Sequence, residues 1–285
     1  MQLAALKAAA AFPVEKHCYN HVREMAKLIN LALLFALIAQ AAGSVLAQTR
    51  ATGQEKETAF QISDQLKFKG RVVSGSLRKS EIPGLLELPV RNGNSDLDNG
   101  YGVEMTGPNS EKVMVYTCRQ WKKALDEKAY SASTFDMAME SSLIRTCGLL
   151  FALQNAKLPL KSFVANPRVS LANRKLLPAE ILSANTDDQE KEKEHTRGLT
   201  VSKAVALKDI AKASDKALTL SYGGFRQSFW EGARADFNGD GIEDIFVFTA
   251  GRAEGGTLGY SDYFVLTRTG PSEPLKLIEI KKPWH

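Results

Sequence analysis

The chain has 285 residues with 37 basic and 32 acidic side chains, a formal surplus of +5. That surplus is too small, and its basic residues too seldom interleaved with aromatics, to make a nucleic-acid-binding surface. The length admits one large domain or two small ones, and three cysteines and four histidines leave little for thiol or imidazole catalysis.

The first element in chain order is a short basic start, Met25-Ala-Lys27, followed by an apolar run from Leu28 to Ala39. Small residues at Val45-Leu-Ala47 offer a cleavage site, so residues 1–47 read as an upstream extension and a secretory signal peptide, with Gln48 as the mature N-terminus. The apolar run is too short to span a bilayer; a buried core helix is the other reading of it. Residues 1–24 are either a long n-region or lie upstream of the true start. With no cysteine directly after the run, at the cleavage site, no membrane anchor is expected after cleavage. The expected location is periplasmic or secreted. Cleavage removes Lys7, Lys16, Arg23 and Lys27 but only Glu15 and Glu24, which shrinks the basic surplus further.

Residues 48–186 read as an α+β part. Its polar start, residues 48–69, carries Gln54-Glu-Lys-Glu57 and reads as a loosely docked segment. From Arg71 to Cys118 the pattern is β, with Val72, Val73, Leu85, Leu86, Leu88 and Val90 interrupted by Pro83-Gly84 and Asn92-Gly93. Asn92 to Gly100 is a turn region; Asp96 and Asp98 suggest a second cation site, but Asn-Gly is also the favoured hairpin turn. A short helix is predicted over Arg119–Lys128. A longer one starts near Thr134, with Phe135, Met139, Leu143, Cys147 and Leu150 on one face.

Cys118 and Cys147 are the pair left once Cys18 is cut away. In an oxidising compartment two such cysteines join; the alternative is two buried free thiols. Residues 187–198, with Asp187-Asp-Gln-Glu-Lys-Glu-Lys-Glu-His195, form a charged linker. Residues 199–285 read as a β-rich part. It opens on an ambiguous stretch, Thr200 to Ala213, predicted helical near Asp209. Strands follow at Leu218–Tyr222, Phe225–Ala235, Ile245–Thr249, Tyr263–Arg268 and Leu275–Ile280. The connection Ala250–Gly259 has four glycines but no P-loop or dinucleotide pattern. Tyr260 and Tyr263 with Phe229 and Trp230 are candidates for an exposed aromatic patch, although aromatics at strand spacing are more often core.

The most informative stretch is Asp236-Phe-Asn-Gly-Asp-Gly-Ile-Glu-Asp244. Asp236, Asn238 and Asp240 stand at alternate positions, Gly241 follows where the chain must turn, and Ile242 offers a backbone carbonyl before Asp244. A hard cation such as Ca²⁺ takes six to eight oxygens, and ligation from positions 1, 3, 5, 7 and 9 of a loop supplies them. Position 12 is Val247, where an EF-hand needs a bidentate Glu, and the following run is strand-like, not helical. An ordinary Asp/Asn/Gly turn is the competing reading. A calcium loop that leads into a strand resembles those of the FG-GAP repeats of integrin α-chains and related secreted bacterial proteins. That resemblance covers Asp236 to Phe248 in a single copy, whereas a propeller needs at least four blades. The remainder, from Tyr116-Thr-Cys-Arg-Gln-Trp121 through Phe135-Asp-Met-Ala-Met-Glu140 to Cys147, resembles uncharacterised secreted bacterial proteins.

The expected fold is therefore α+β: a helical and β N-terminal part followed by a C-terminal antiparallel β-meander carrying a calcium loop, and not a propeller. The expected function is that of an exported, non-enzymatic protein with a structural Ca²⁺ loop and a protein or glycan partner. The alternative is a hydrolase of a cell-envelope polymer, with Glu231 and Asp236, or Glu140 and Asp136, as its carboxylate pair.

Overall fold

Alternation of apolar and polar residues builds the first strand, β1 (Ala59–Phe68), where Phe60, Ile62, Leu66 and Phe68 are all buried. The computed structural model describes residues 58–91, 102–165, 168–183, 196–204, 209–222, 224–256 and 259–282. The segment read as a signal peptide, the stretch Asn92–Gly100 read as a turn, and most of the stretch read as a charged linker lie outside them. From Ala59 on, the segment read as loosely docked is instead a core strand. Its polar residues occupy the alternate positions and mask four inward apolar ones. A two-residue turn leads into β2 (Arg71–Arg78), which pairs antiparallel with β1. Ile82–Leu85 is a helical turn rather than strand, and it buries Ile82 and Leu85.

A small two-stranded sheet of β3 (Val103–Thr106) and β4 (Lys112–Val115) precedes the helices. Helix α1 (Cys118–Asp126) starts at a capping box: the Thr117 hydroxyl accepts from Gln120 N at 3.2 Å, and Gln120 Oε1 accepts from Thr117 N at 3.3 Å. Helix α2 (Thr134–Asn155) starts at Ser133, whose hydroxyl accepts from Asp136 N at 3.0 Å. An acidic residue in the first turn also suits the positive end of the helix dipole. The inward stripe of α2 is buried at Leu143, Cys147, Leu150 and Leu153; Phe135, in the first turn, is 70% exposed. Cys118 and Cys147 are joined, with sulfurs 2.11 Å apart, and tie the start of α1 to the middle of α2.

The rest of the chain is a meander of β5 (Asp209–Ser214), β6 (Ala217–Tyr222), β7 (Phe225–Ala235), β8 (Asp244–Ala253), β9 (Gly259–Thr267) and β10 (Lys276–Ile278), each paired antiparallel with the next. The chain near Asp209 is thus strand, not helix; only Val201–Ala204 makes a helical turn. Strands β8 and β9 run well into the glycine-bearing stretch, leaving a short connection.

Strand β7 organises the sheet. One edge pairs with β8; the other is shared, with Phe225 to Trp230 on β6 and with Ala233 and Arg234 on β1 of the β1–β2 hairpin. The regions before and after the charged run therefore contribute to one sheet, which closes into neither a barrel nor a propeller. Two cores lie on its faces. One gathers α1, α2 and the early strands around Phe246, Tyr263 and Val265. The other packs Phe225, Phe229, Ile245, Val247 and Leu266 against Val164, Leu171, Leu177 and Val201. Helix α2 comes so close that a Cβ at Gly148 would stand 2.3 Å from the Tyr263 ring. Phe229 and Tyr263 belong to opposite cores and are both 1% exposed, so the aromatic patch does not form.

Candidate functional site

The loop from Asp236 to Glu243 joins β7 to β8, with Ala235 and Asp244 paired at its base. Its first carboxylate nucleates it. Asp236, 2% exposed, accepts from Gly239 N at 2.7 Å and from Gly241 N at 3.0 Å. Both glycines have φ +83°, a conformation that side-chain-bearing residues rarely adopt. Asn238 Oδ1 accepts from Asp240 N at 3.1 Å, and Asp240 Oδ1 accepts from Ile242 N at 2.7 Å. The loop is buttressed by the segment after α2. Lys157 and Asp236 exchange backbone hydrogen bonds at 2.9 and 3.0 Å, and the Gly241 carbonyl accepts from both Leu160 and Lys161. Glu243 closes the other side, its carboxylate accepting from Ser162 Oγ at 2.6 Å.

Asp244 sits at the base of the loop and is fully buried. Its Oδ2 accepts from Phe237 N at 3.0 Å, while its Oδ1 is buried without a hydrogen-bond partner. Thr267 Oγ1, on β9, is likewise buried without one. The Thr267 hydroxyl eases the charge on Asp244 by its proximity, yet the two do not meet in hydrogen-bonding geometry. Burial pushes the Asp244 carboxyl up to about 6, and Asp240 and Asp236 push in the same direction.

The five residues read as ligands, Asp236, Asn238, Asp240, Ile242 and Asp244, thus share one loop. Their donor chemistry, all oxygen with three carboxylates, suits a hard divalent cation, and the orphaned Asp244 Oδ1 is an oxygen that such an ion would satisfy. Asp236 and Asp240 direct lone pairs onto the loop's own amides. Among the described residues no three Asp, Glu, His or Cys side chains are gathered closely enough to hold a metal between them. The residues fit the ion in chemistry and spacing without being preassembled around it.

The raised Asp244 value has a consequence in the presence of chelator. A folded-state value above the unfolded 3.8 means that the native chain binds the proton more tightly. That contribution is fully present below about 3.8, and it is lost as pH rises through about 6. Melting temperatures in EDTA should therefore decline between pH 4.5 and 7, and Asp244→Asn should flatten the decline. An equal slope in the variant would assign it to other groups.

The paired carboxylates of the hydrolase reading have structural partners. Glu140 accepts from Trp121 Nε1 at 2.8 Å and from Ser131 Oγ at 2.7 Å, and the Asp136 carboxylate, in the first turn of α2, accepts from the hydroxyl of the N-cap Ser133. Glu231, with its side chain fully buried, receives Arg234 Nε at 3.0 Å and Nη2 at 2.9 Å, Arg168 at 2.6 Å and Ser63 Oγ at 2.5 Å. Burial alone would raise its pKa; the Arg234 hydrogen bonds and charge override this and hold it below the usual range. A bulge in β7 between Glu231 and Ala233 makes the cluster possible, because it turns Glu231 and Arg234 to the same face of the sheet.

Two features of the loop's surroundings have no local signal in the sequence: Thr267 beside Asp244, and the Lys157–Lys161 buttress. Both reach the loop from distant parts of the chain. In comparisons with known proteins, no family model, no curated protein and no solved structure matches the chain.

Proposed function

We propose that the protein is an exported, non-enzymatic protein whose Asp236–Asp244 loop takes up Ca²⁺ to fix the β7–β8 turn, and whose surface serves a protein or glycan partner. The observation that carries the reading is the buried Asp244 carboxylate with one oxygen unpartnered. Left ionised and unmatched it is destabilising, and a cation at the loop would offset that. Asp236, Asn238, Asp240, Ile242 and Asp244 would hold the ion, whose part is to neutralise three carboxylates drawn into one turn. The Cys118–Cys147 bond favours an oxidising compartment, as export supplies. Among the described residues no helix is long and apolar enough to cross a membrane.

A loop without the bidentate Glu of an EF-hand should bind with a Kd of roughly 10⁻⁴–10⁻³ M, the range of extracellular modules. Calcium at about ten times Kd then adds about 1.4 kcal/mol, which raises Tm by roughly 3–5 °C in a protein of this size. Thermal melts in calcium and in chelator measure this. Asp240→Ala should abolish the difference, and a wild-type protein that melts identically in both would reduce the loop to an ordinary turn.

A further inference from the structure

At the base of the Asp236–Asp244 loop two buried oxygens face each other unsatisfied. Asp244 opens β8 and Thr267 closes β9, and the two strands pair antiparallel as far as Ile245 and Leu266. One residue further along, Asp244 and Thr267 stand directly opposite each other, where cross-strand Cβ atoms come within about 4.5–5.5 Å. Both side chains share the sheet face of Phe246 and Val265, two residues away on each strand, which is the face that packs on α2. Asp244 is fully buried and Thr267 is 4% exposed.

The two groups are complementary. Asp244 Oδ2 accepts from Phe237 N at 3.0 Å, whereas Asp244 Oδ1 and Thr267 Oγ1 have no hydrogen-bond partner among the described residues. An ionised carboxylate can only accept, and a hydroxyl has a proton to give. The loop's own amides are spent elsewhere: those of Gly239 and Gly241 on Asp236, that of Asp240 on Asn238, and that of Ile242 on Asp240. Thr267 is thus the donor at hand for Oδ1. Burying a hydroxyl without a bond is unfavourable, and valine would fill the same volume without that cost. A threonine in this place calls for a bond that forms when the loop is loaded.

We propose that Thr267 is a positioning residue for the cation: its hydroxyl donates to Asp244 Oδ1 and fixes that carboxylate, leaving the oxygen's other lone pair to the ion. The inference rests on the reading of Asp236–Asp244 as a calcium loop, and it adds to that loop a residue from the neighbouring strand. Hydrogen bonds to a metal's ligands orient them, and losing one typically weakens metal affinity about 10- to 100-fold.

The test separates affinity from stability. The full folded protein is titrated with calcium chloride at constant ionic strength, and the rise in melting temperature over its value in EDTA gives Kd by mass action. Thr267→Val keeps the shape and removes the hydroxyl; Thr267→Ser keeps the hydroxyl and removes a methyl group. The valine variant should melt close to wild type in EDTA, since it gives up no bond there, yet bind calcium about tenfold or more weakly. The serine variant should keep the wild-type Kd, whatever the missing methyl group costs in EDTA. A threonine that only fills space gives the opposite pattern, in which melting in EDTA changes and Kd does not. A valine variant with the wild-type Kd, or a serine variant as weak as valine, overturns the inference and leaves the calcium reading standing. A wild-type protein that does not respond to calcium overturns both.

Discussion

Replacing Arg234 with Met is expected to lower the unfolding free energy by about 3–5 kcal/mol, the loss typical of breaking one partner out of a buried ion pair. Arg234 is 6% exposed and gives hydrogen bonds to both Glu231 oxygens as well as to the Val164 and Val169 carbonyls, at 2.6 and 3.1 Å. Its removal leaves Glu231 Oε2 and two carbonyls without their partner, and leaves the carboxylate only the half-exposed Arg168 and the Ser63 hydroxyl. The deficit should narrow as pH falls from 7 toward the usual carboxylate range: without Arg234, burial raises the Glu231 pKa and the side chain can take up a proton. A second variant, Glu231→Leu with Arg234→Met, should recover part of the loss, because no buried charge is then left unmatched and Arg168, with 41% of its side chain exposed, can turn to water. Urea unfolding at pH 7 and pH 5 measures all three proteins. A single variant within about 1 kcal/mol of wild type would show that the cluster contributes no more than a surface pair.

The second large effect concerns Cys118 and Cys147. Closing a loop of 29 residues should stabilise the native state by roughly 3–4 kcal/mol through the entropy it removes from the unfolded chain. The double Cys→Ala variant should lose about that much, with a steeper denaturant dependence because its unfolded chain exposes more surface. Both cysteines are fully buried, so a reductant should act only once the protein is opened by denaturant. Thiol titration of the unreduced, denatured protein should find neither group free. An alanine pair that unfolds at the wild-type urea midpoint would assign the stability of this region to packing alone.

The elements that sequence made legible are those with a strong local pattern. Helix α2 carries its stripe at Leu143, Cys147 and Leu150, and the β6–β7 hairpin is announced by Leu218, Leu220 and Tyr222 ahead of two glycines. The extent of the Asp236–Asp244 loop follows from its alternate oxygens. Where a pattern is short or mixed, the reading fails for physical reasons. Gln61, Ser63, Asp64 and Gln65 hid β1, because only one face of that strand is apolar. Leu85 and Leu86 sit next to each other and suit a helical turn as well as a strand. The Glu231–Arg234 pair would fall on opposite faces of a regular strand; Gly232 within the strand pattern was the one hint of a bulge. The Asp244–Thr267 pair and the Lys157–Lys161 buttress arise from pairings between distant segments, which periodicity cannot encode.

Because β7 accepts β1 along the stretch that β6 leaves open, the order of synthesis matters to this fold. Ser63 and Glu231, which meet where β1 joins β7, are 168 residues apart in the chain. A nascent chain therefore presents the β1–β2 hairpin long before its docking strand exists. In that interval its inner edge has unpaired backbone groups and four apolar side chains without a core, the exposure that invites pairing with other chains. Contacts of such separation also slow the final step of folding. The longer that hairpin waits for β7, the longer this exposure lasts.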